Sequence, residues 1–147
     1  LQALFLAHED QFVLTPTYHV FDMYAVHQGK TALRTLVSSP RPGYTRNGQP
    51  ATMRGLNGSA SLDGKRLVLT VTNPDLKSTR ETQIAVRGAT IKSGQGTSLT
   101  ARDMHAHNSF ADPNQIQPTA TTVSVTGNVL VYAFPPASVT RLDLELM

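Results

Sequence analysis

The amino-acid sequence predicts a mainly β protein, an antiparallel β-sandwich or jelly roll preceded by one β-loop-α unit. Three observations lead to this prediction. Hydrophobic residues recur with a period of two over most of the chain after Ala32. Turn signals separate these segments, as they do in sandwich folds. Only one long stretch, residues 14–29, has a helical period, and a short apolar segment precedes it.

The chain opens with an apolar segment, residues 2–7, which predicts a strand of the kind buried on both faces of a parallel sheet. A polar loop, residues 8–11, follows. Thr15 suits the N-cap of a helix and Pro16 its first position, where a missing N–H costs no hydrogen bond. Gly29 stands where a C-terminal cap is expected. Because the chain begins with Leu inside an apolar strand, we expect it to be part of a longer protein.

The apolar side chains of the predicted helix point in more than one direction. One group forms a stripe and the others fall on other sides: Val20, Phe21 and Tyr24 in the stripe, and Tyr18, Met23 and Val26 outside it. A helix that is apolar on more than one side is usually covered on more than one side. We therefore expect this helix to lie between two bodies, of which only one belongs to this chain.

Strands are predicted over most of the remaining sequence. Residues 59–73 carry the clearest signal, with Asp63-Gly64 as a two-residue hairpin turn. Gly127-Asn128 predicts a second hairpin, and the last strand places Leu142, Leu144 and Leu146 on one face. Further strands are expected at residues 33–39, 81–87 and 90–102, which makes about seven or eight in all. Residues 103–119, rich in Pro, Asn and Gln, predict a long loop.

Composition excludes several classes of function. The 147 residues, 39% hydrophobic and 16% charged, fit one globular domain with a little extra. The net charge is only +3, Trp is absent and the basic residues do not cluster, so no nucleic-acid partner is expected. No apolar run approaches the ~20 residues that span a bilayer, so no membrane partner is expected either. The absence of Cys excludes disulfides and is compatible with a reducing compartment.

The loop sequence RDMHAHNSFADP offers the most obvious candidates for chemistry. Asp103, His105, His107 and Asp112 lie close together, and a His-x-His pair on a strand would point both rings to one face, as a divalent metal requires. The alternative is that these side chains hydrogen-bond the backbone of an irregular loop. We favour the loop interpretation because a metal needs three or four converging ligands. No metal and no cofactor are predicted.

The other polar candidates have simpler interpretations. Glu9, Asp10 and Asp22 are expected to be solvated charges, since nothing nearby in the sequence would tune them for acid–base work. His19 and His27, eight residues apart, are expected to be separate packed or surface side chains. The aromatic residues left to stack on a sugar are few, namely Tyr44, Phe110 and Tyr132.

Three motifs resemble the C-terminal part of the α-L-arabinofuranosidases of glycoside hydrolase family 51. The longest is LTPTYHVFDMYAVHQG, residues 14–29, which is similar to the last barrel helix of that family. The second is AHNSFADPNQIQP, residues 106–118, and resembles the family's His-Asn-Thr-Phe-acidic-x-Pro loop. The third is the closing PPASVTRLDL, residues 135–144. These motifs lie at the start, middle and end, so the resemblance covers the whole chain.

The resemblance implies two parts. Residues 1–30 would be the last strand and helix of a (β/α)8 catalytic barrel, and residues 31–147 a C-terminal β-sandwich domain. The family uses two Glu residues, an acid/base and a nucleophile, with retention of configuration. Both belong to earlier barrel strands, so no catalytic residue is expected in this segment. Some relatives contact arabinose through a Gln just before the helix-start Thr; Leu14 stands there, so no substrate-binding residue is assigned.

By the same resemblance, the motif residues have structural roles, listed together: Thr15, Pro16, Tyr18, Phe21, Tyr24, His107, Asn108 and Phe110. The implied partners are the rest of the barrel, arabinose-containing polysaccharides or oligosaccharides bound by the parent enzyme, and further copies in a homo-oligomer. The implied location is cytoplasmic. The alternative function is a free-standing β-sandwich module that binds carbohydrate or protein, although such a module has no use for a lone barrel strand and a two-sided helix.

Overall fold

The computed structural model describes residues 3–147, and the start of the predicted first strand at Gln2 lies outside them. One helix and thirteen strands occur within this range. In chain order they are β1 (Phe5–His8), β2 (Gln11–Leu14), α1 (Pro16–Ala25), β3 (Thr31–Leu33), β4 (Gly43–Arg46), β5 (Gln49–Thr52), β6 (Asn57–Asp63), β7 (Arg66–Asn73), β8 (Arg80–Ala85), β9 (Ile91–Thr100), β10 (Thr119–Thr122), β11 (Ser124–Thr126), β12 (Val129–Phe134) and β13 (Ser138–Leu146).

Two antiparallel sheets form the body of the protein, which confirms the predicted β-sandwich. The larger sheet has six strands in the order β10-β9-β13-β7-β6-β3, and the smaller has three in the order β11-β12-β8. Leu142 and Leu144 on β13 are at most 1% exposed and pack with Leu130 and Phe134 on β12. This packing buries the apolar faces of both sheets, and burial of apolar area is the main stabilising force in such a core.

Both predicted hairpins occur, and one turn is displaced by a residue. Thr126 pairs with Val129, so Gly127-Asn128 is the turn between β11 and β12, as expected. In the β6–β7 hairpin Asp63 pairs with Arg66, so the two turn residues are Gly64 and Lys65 rather than Asp63 and Gly64. The φ of Gly64 is 58°, a left-handed conformation that explains why glycine stands there.

The segment after α1 differs most from the predicted strands. The strand expected at residues 33–39 is wrong, because β3 ends at Leu33 and residues 34–42 are irregular and mostly exposed. A hairpin that the sequence interpretation missed follows, with β4 paired to β5 in a separate two-stranded sheet. Asn47 and Gly48 form its turn with φ values of 51° and 76°, as a tight hairpin turn requires.

The N-terminal unit also departs from expectation. β1 is not a lone strand of the parallel-sheet type, because it pairs antiparallel with β2, and its residues are mostly exposed. The predicted loop at residues 8–11 is therefore a hairpin turn, with Glu9 at φ 53°. The helix ends at Ala25 with Val26 as its C-cap, so Gly29 closes the following turn rather than the helix. No helix in the described residues is long and apolar enough to cross a membrane.

Candidate interface around the N-terminal helix

The start of α1 is held by Thr15, which is its N-cap. The Thr15 Oγ1 accepts a hydrogen bond from the backbone N–H of Tyr18 at 3.4 Å and donates to the carbonyl oxygen of Ala3 at 2.6 Å. The Thr15 N–H donates to the carbonyl of Leu4 at 3.1 Å, and Pro16 occupies the first turn. These bonds tie the helix start to the segment before β1, so the hairpin and the helix form one unit.

One side of α1 packs against the outer face of the six-stranded sheet. Met23 is 1% exposed and lies in a second hydrophobic cluster with Leu99 and Ile116, while Val20 is partly buried against the same cluster. The predicted stripe of Val20, Phe21 and Tyr24 is therefore wrong, because Val20 belongs to the buried side and Phe21 does not. The buried side follows Met23, which the sequence interpretation placed elsewhere.

Asn108 connects the long loop to the helix unit. Its amide Nδ2 donates to the carbonyl of Leu14 at 2.8 Å and to that of Ile116 at 2.9 Å. Its Oδ1 accepts from the backbone N–H of Ile116 at 2.7 Å. The side chain is 2% exposed, so these bonds replace the water that burial removes. The hydrogen bonds of Asn108 therefore fix the loop that places Ile116 in the second cluster.

His27 anchors the turn after α1 to the six-stranded sheet. Its Nδ1 lies 2.7 Å from Ser61 Oγ on β6 and its Nε2 lies 2.9 Å from Thr70 Oγ1 on β7. Burial lowers the pKa of His27, the positive charge of Arg141 lowers it further, and Asp143 opposes the shift. Because Ser61 and Thr70 are buried, the imidazole provides the partners that their hydroxyls need.

His27 is a residue whose role sequence reasoning missed, although a signal existed. Val20, Met23 and His27 follow one another at spacings of three and four residues, which places them on one side of a helix. The predicted stripe instead joined Val20 to Phe21, which lies on the exposed side. Continuing the spacing from Met23 to His27 identifies the side that packs on the sheet.

The unit also carries exposed aromatic rings, on the helix and on the β1–β2 hairpin. Phe21 is 64% exposed, and Phe5 and Phe12 on the hairpin are 50% and 59% exposed, with ring centroids 4.9 Å apart. Tyr24 is partly buried, and this burial raises the pKa of its phenol. An exposed group of large apolar side chains is typical of an interface with another protein surface.

Two of the four candidate metal ligands in the loop, Asp103 and His107, hydrogen-bond the backbone. Asp103 Oδ1 accepts from the N–H of His105 at 2.9 Å, and His107 Nδ1 donates to the carbonyl of His105 at 2.8 Å. Within residues 3–147 no three His, Asp or Glu side chains converge as a metal site would need. Phe110 is 40% exposed, and its ring centroid lies 6.0 Å from that of His8.

The remaining acidic and aromatic candidates from the sequence lie in separate places. Glu9, Asp10 and Asp22 are exposed and form no ion pair in the part of the chain that the structure describes. Tyr132 is not available to a sugar, because it is 7% exposed in the core and its hydroxyl lies 2.8 Å from Thr121 Oγ1. Tyr44 is 39% exposed on the β4–β5 hairpin.

The fold and the half-covered helix define a β-sandwich domain that carries, at its N-terminus, a unit with one side buried in the sandwich and the other uncovered. The family model for the α-L-arabinofuranosidase C-terminal domain matches residues 1–138. The chain therefore belongs to this family, which confirms the resemblance drawn from the motifs.

Individual relatives agree with this assignment. The chain is 30% identical over 146 residues to an intracellular exo-α-L-arabinofuranosidase of Bacteroides ovatus, covering 99% of this chain and 28% of the relative. A GH51 arabinofuranosidase from Xanthomonas axonopodis pv. citri superposes with a TM-score of 0.89 at 30% identity, over 99% of this chain and 29% of that one. The α-L-arabinofuranosidase of Thermotoga maritima, in an arabinose complex, gives 0.81 at 25% identity, over 97% and 31%. This chain thus spans less than a third of these relatives.

Replacing Asn108 by Ala should destabilise the chain. The change removes three hydrogen bonds, and the two backbone groups of Ile116 stay buried without that partner, at a cost of about 1–3 kcal/mol for each unsatisfied group. Urea denaturation followed by circular dichroism measures the loss. Asn114→Ala is the matched control, because that side chain is exposed and bonds only Gln117. Equal stability of the two variants would contradict the assigned role of Asn108.

The stability of the chain should fall as the pH drops through and below about 6.5, the ordinary pKa of histidine. The pKa of His27 is lowered in the folded state, so below that pH the unfolded chain binds a proton more readily than the folded one. Above that pH, both states hold His27 neutral and its contribution is constant. Denaturant midpoints measured between pH 5 and 8 should slope less in His27→Gln than in the parent sequence. Equal pH slopes in the variant and the parent sequence would show that His27 does not cause the pH dependence of stability.

Proposed function

We propose that this chain is the C-terminal part of an α-L-arabinofuranosidase that releases terminal non-reducing α-L-arabinofuranosyl groups from arabinan or arabinoxylan oligosaccharides with retention of configuration. Its family membership and the printed activities of its relatives support this proposal. The catalytic carboxyl pair of such an enzyme lies elsewhere in the parent. Glu9, Asp10 and Asp22 are exposed on a turn and on the helix, unlike the enclosed pair that a retaining glycosidase uses.

The observation that carries the proposal is the two-sided helix. Met23 is 1% exposed and Phe21 is 64% exposed on the same short helix. In the proposed parent, residues 1–30 are the final βα unit of the barrel and residues 31–147 are the sandwich. The sandwich covers the Met23 side, and the remainder of the barrel covers the Phe21 side. The function of this segment is then structural, as a support for the last helix of the barrel.

The motif residues have matching structural roles in this proposal. Thr15 and Pro16 set the start of the helix, and Tyr18 supplies the N–H that Thr15 binds. His107 and Asn108 hold the long loop against the unit through backbone bonds. Phe21, Tyr24 and Phe110 provide apolar surface beside it. None of these residues needs a cofactor or a metal for the role proposed.

The partners proposed for the chain follow from the same parent. They are the rest of the barrel, arabinose-containing oligosaccharides bound by that barrel, and other copies in a homo-oligomer. An intracellular location is proposed because the Bacteroides ovatus relative is named as intracellular.

Purified alone, this chain should not hydrolyse an aryl α-L-arabinofuranoside, whereas a parent polypeptide extended upstream to the length of the relatives should. Release of the aryl group, followed by absorbance, measures both. Turnover by this chain that is lost in Glu9→Gln or Asp10→Asn would contradict the proposal. Saturable binding of arabino-oligosaccharides by this chain without turnover in the extended parent would favour the free-standing module instead.

Phe21→Ser should destabilise the extended parent and leave this chain nearly unchanged. Burying a Phe-sized side chain contributes about 1.5–3 kcal/mol, and only the parent would bury it. Thermal unfolding of the two lengths, each with and without the substitution, makes the comparison. Val131→Ser is the matched control, since Val131 is 51% exposed on β12 in the three-stranded sheet, whereas the helix packs on the six-stranded sheet. An equal effect of Phe21→Ser at both lengths would place its partner within this chain.

A further inference from the structure

The long loop of the sandwich is longer than its position in the sheet requires. It joins β9, which ends at Thr100, to β10, which begins at Thr119, and these two strands are antiparallel neighbours. Antiparallel neighbours are usually joined by about two to five residues, and an ordered loop of more than about 12–15 residues usually has a function. The length of residues 101–118 therefore indicates a role beyond joining the two strands.

Hydrogen bonds inside the loop give it a defined shape. The Ser109 N–H donates to the Asp112 carbonyl at 3.0 Å, and the Asp112 N–H donates to Ser109 Oγ at 3.2 Å. Asn108 closes a wider turn, since its side chain bonds both backbone groups of Ile116. The same amide also donates outside the loop, to the Leu14 carbonyl at 2.8 Å. One side chain therefore fixes the loop and binds the N-terminal unit.

Leu14 has a particular place in the proposed barrel. It is the last residue of β2 and directly precedes Thr15, the N-cap of α1. In the proposed parent, the residues between the final strand and α1 form the last βα connection. The active sites of (β/α)8 barrels are built from these connections, at the carboxyl ends of the strands. The carbonyl that Asn108 binds therefore belongs to the face of the barrel that carries the active site.

The long loop contacts this connection at two points. Besides the bond from Asn108 to Leu14, the ring of Phe110 lies beside that of His8, at a centroid distance of 6.0 Å. The Asn108 contact is a buried one, because its side chain is 2% exposed. A buried amide whose hydrogen bonds are all formed is held in one orientation, so it also fixes the backbone that it binds.

We propose that Asn108 is a positioning residue for the substrate site of the parent enzyme. By holding the Leu14 carbonyl, the sandwich sets the position of the last βα connection and of the groups that this connection presents to an arabinofuranoside. Asn108 acts through the backbone of Leu14 and is not itself a catalytic residue. The inference rests on the proposed function and extends it, since the sandwich then contributes to substrate binding as well as supporting the helix.

The opposite end of α1 provides a matched comparison. The helix has ten residues and is therefore about 15 Å long, with the Asn108 bond before its start and the bonds of His27 to the sheet after its end. In a (β/α)8 barrel that second end lies at the face away from the active site, where residues contribute to stability. Loss of the His27 bonds should therefore lower stability without changing substrate binding.

The test is steady-state kinetics of the extended parent on an aryl α-L-arabinofuranoside, at a temperature where every variant is folded. Asn108→Ala removes the bond to Leu14, and Asn108→Asp replaces the donating amide with a carboxyl group but keeps an oxygen for the Ile116 N–H. Both variants should raise KM about tenfold or more, because a small displacement of a binding group costs this much. His27→Ala should lower the denaturant midpoint and leave KM unchanged.

The Michaelis constant separates positioning from stability. A smaller folded fraction lowers the apparent kcat and leaves KM unchanged, so a merely structural Asn108 would not raise KM. Unchanged KM in both Asn108 variants, or an equal rise of KM in His27→Ala, would overturn the inference. The second result would mean that the substrate site responds to any loosening of the helix. An extended parent without arabinofuranosidase activity would overturn the proposed function as well, whereas an active parent with unchanged KM overturns this inference alone.

Discussion

The two hydrogen bonds of His27 are the interaction on which the placement of the N-terminal unit depends. The outer face of the six-stranded sheet carries the hydroxyls of Ser61 and Thr70, both nearly inaccessible to solvent. A polar group is buried without penalty only when it is hydrogen-bonded, and one imidazole reaches both hydroxyls. Because both hydroxyls have hydrogen-bond partners, Met23 can pack on the apolar residues beside them. Helix and sheet are therefore matched in polar as well as apolar groups.

This arrangement makes the seam between the two proposed parts a packed contact rather than a linker. His27 and Met23 precede residue 30, yet their partners lie on β6, β7 and β9. The ion pair between Lys30 and Asp63 at 2.5 Å crosses the same seam, although its exposure makes its contribution small. Through these contacts the sandwich can hold the helix in place for a partner that covers the other side of the helix.

The N-terminal unit leaves large apolar side chains uncovered. Phe21 on α1 is exposed, as are the paired rings of Phe5 and Phe12 on the β1–β2 hairpin, and exposed side chains of this size are typical of an interface.

The sequence by itself determined the elements whose signals are local. Period-two alternation identified β13, since a strand with one fully buried face must alternate, and Gly127 marked a hairpin because its left-handed φ of 65° favours glycine. The motifs identified the family. Only the tertiary structure decided which side of the helix is buried, that β1 pairs with β2, and that residues 34–42 form no strand. Those outcomes depend on partners distant in sequence, such as Ser61 and Thr70 for His27 or Leu99 for Met23, and no local period records them.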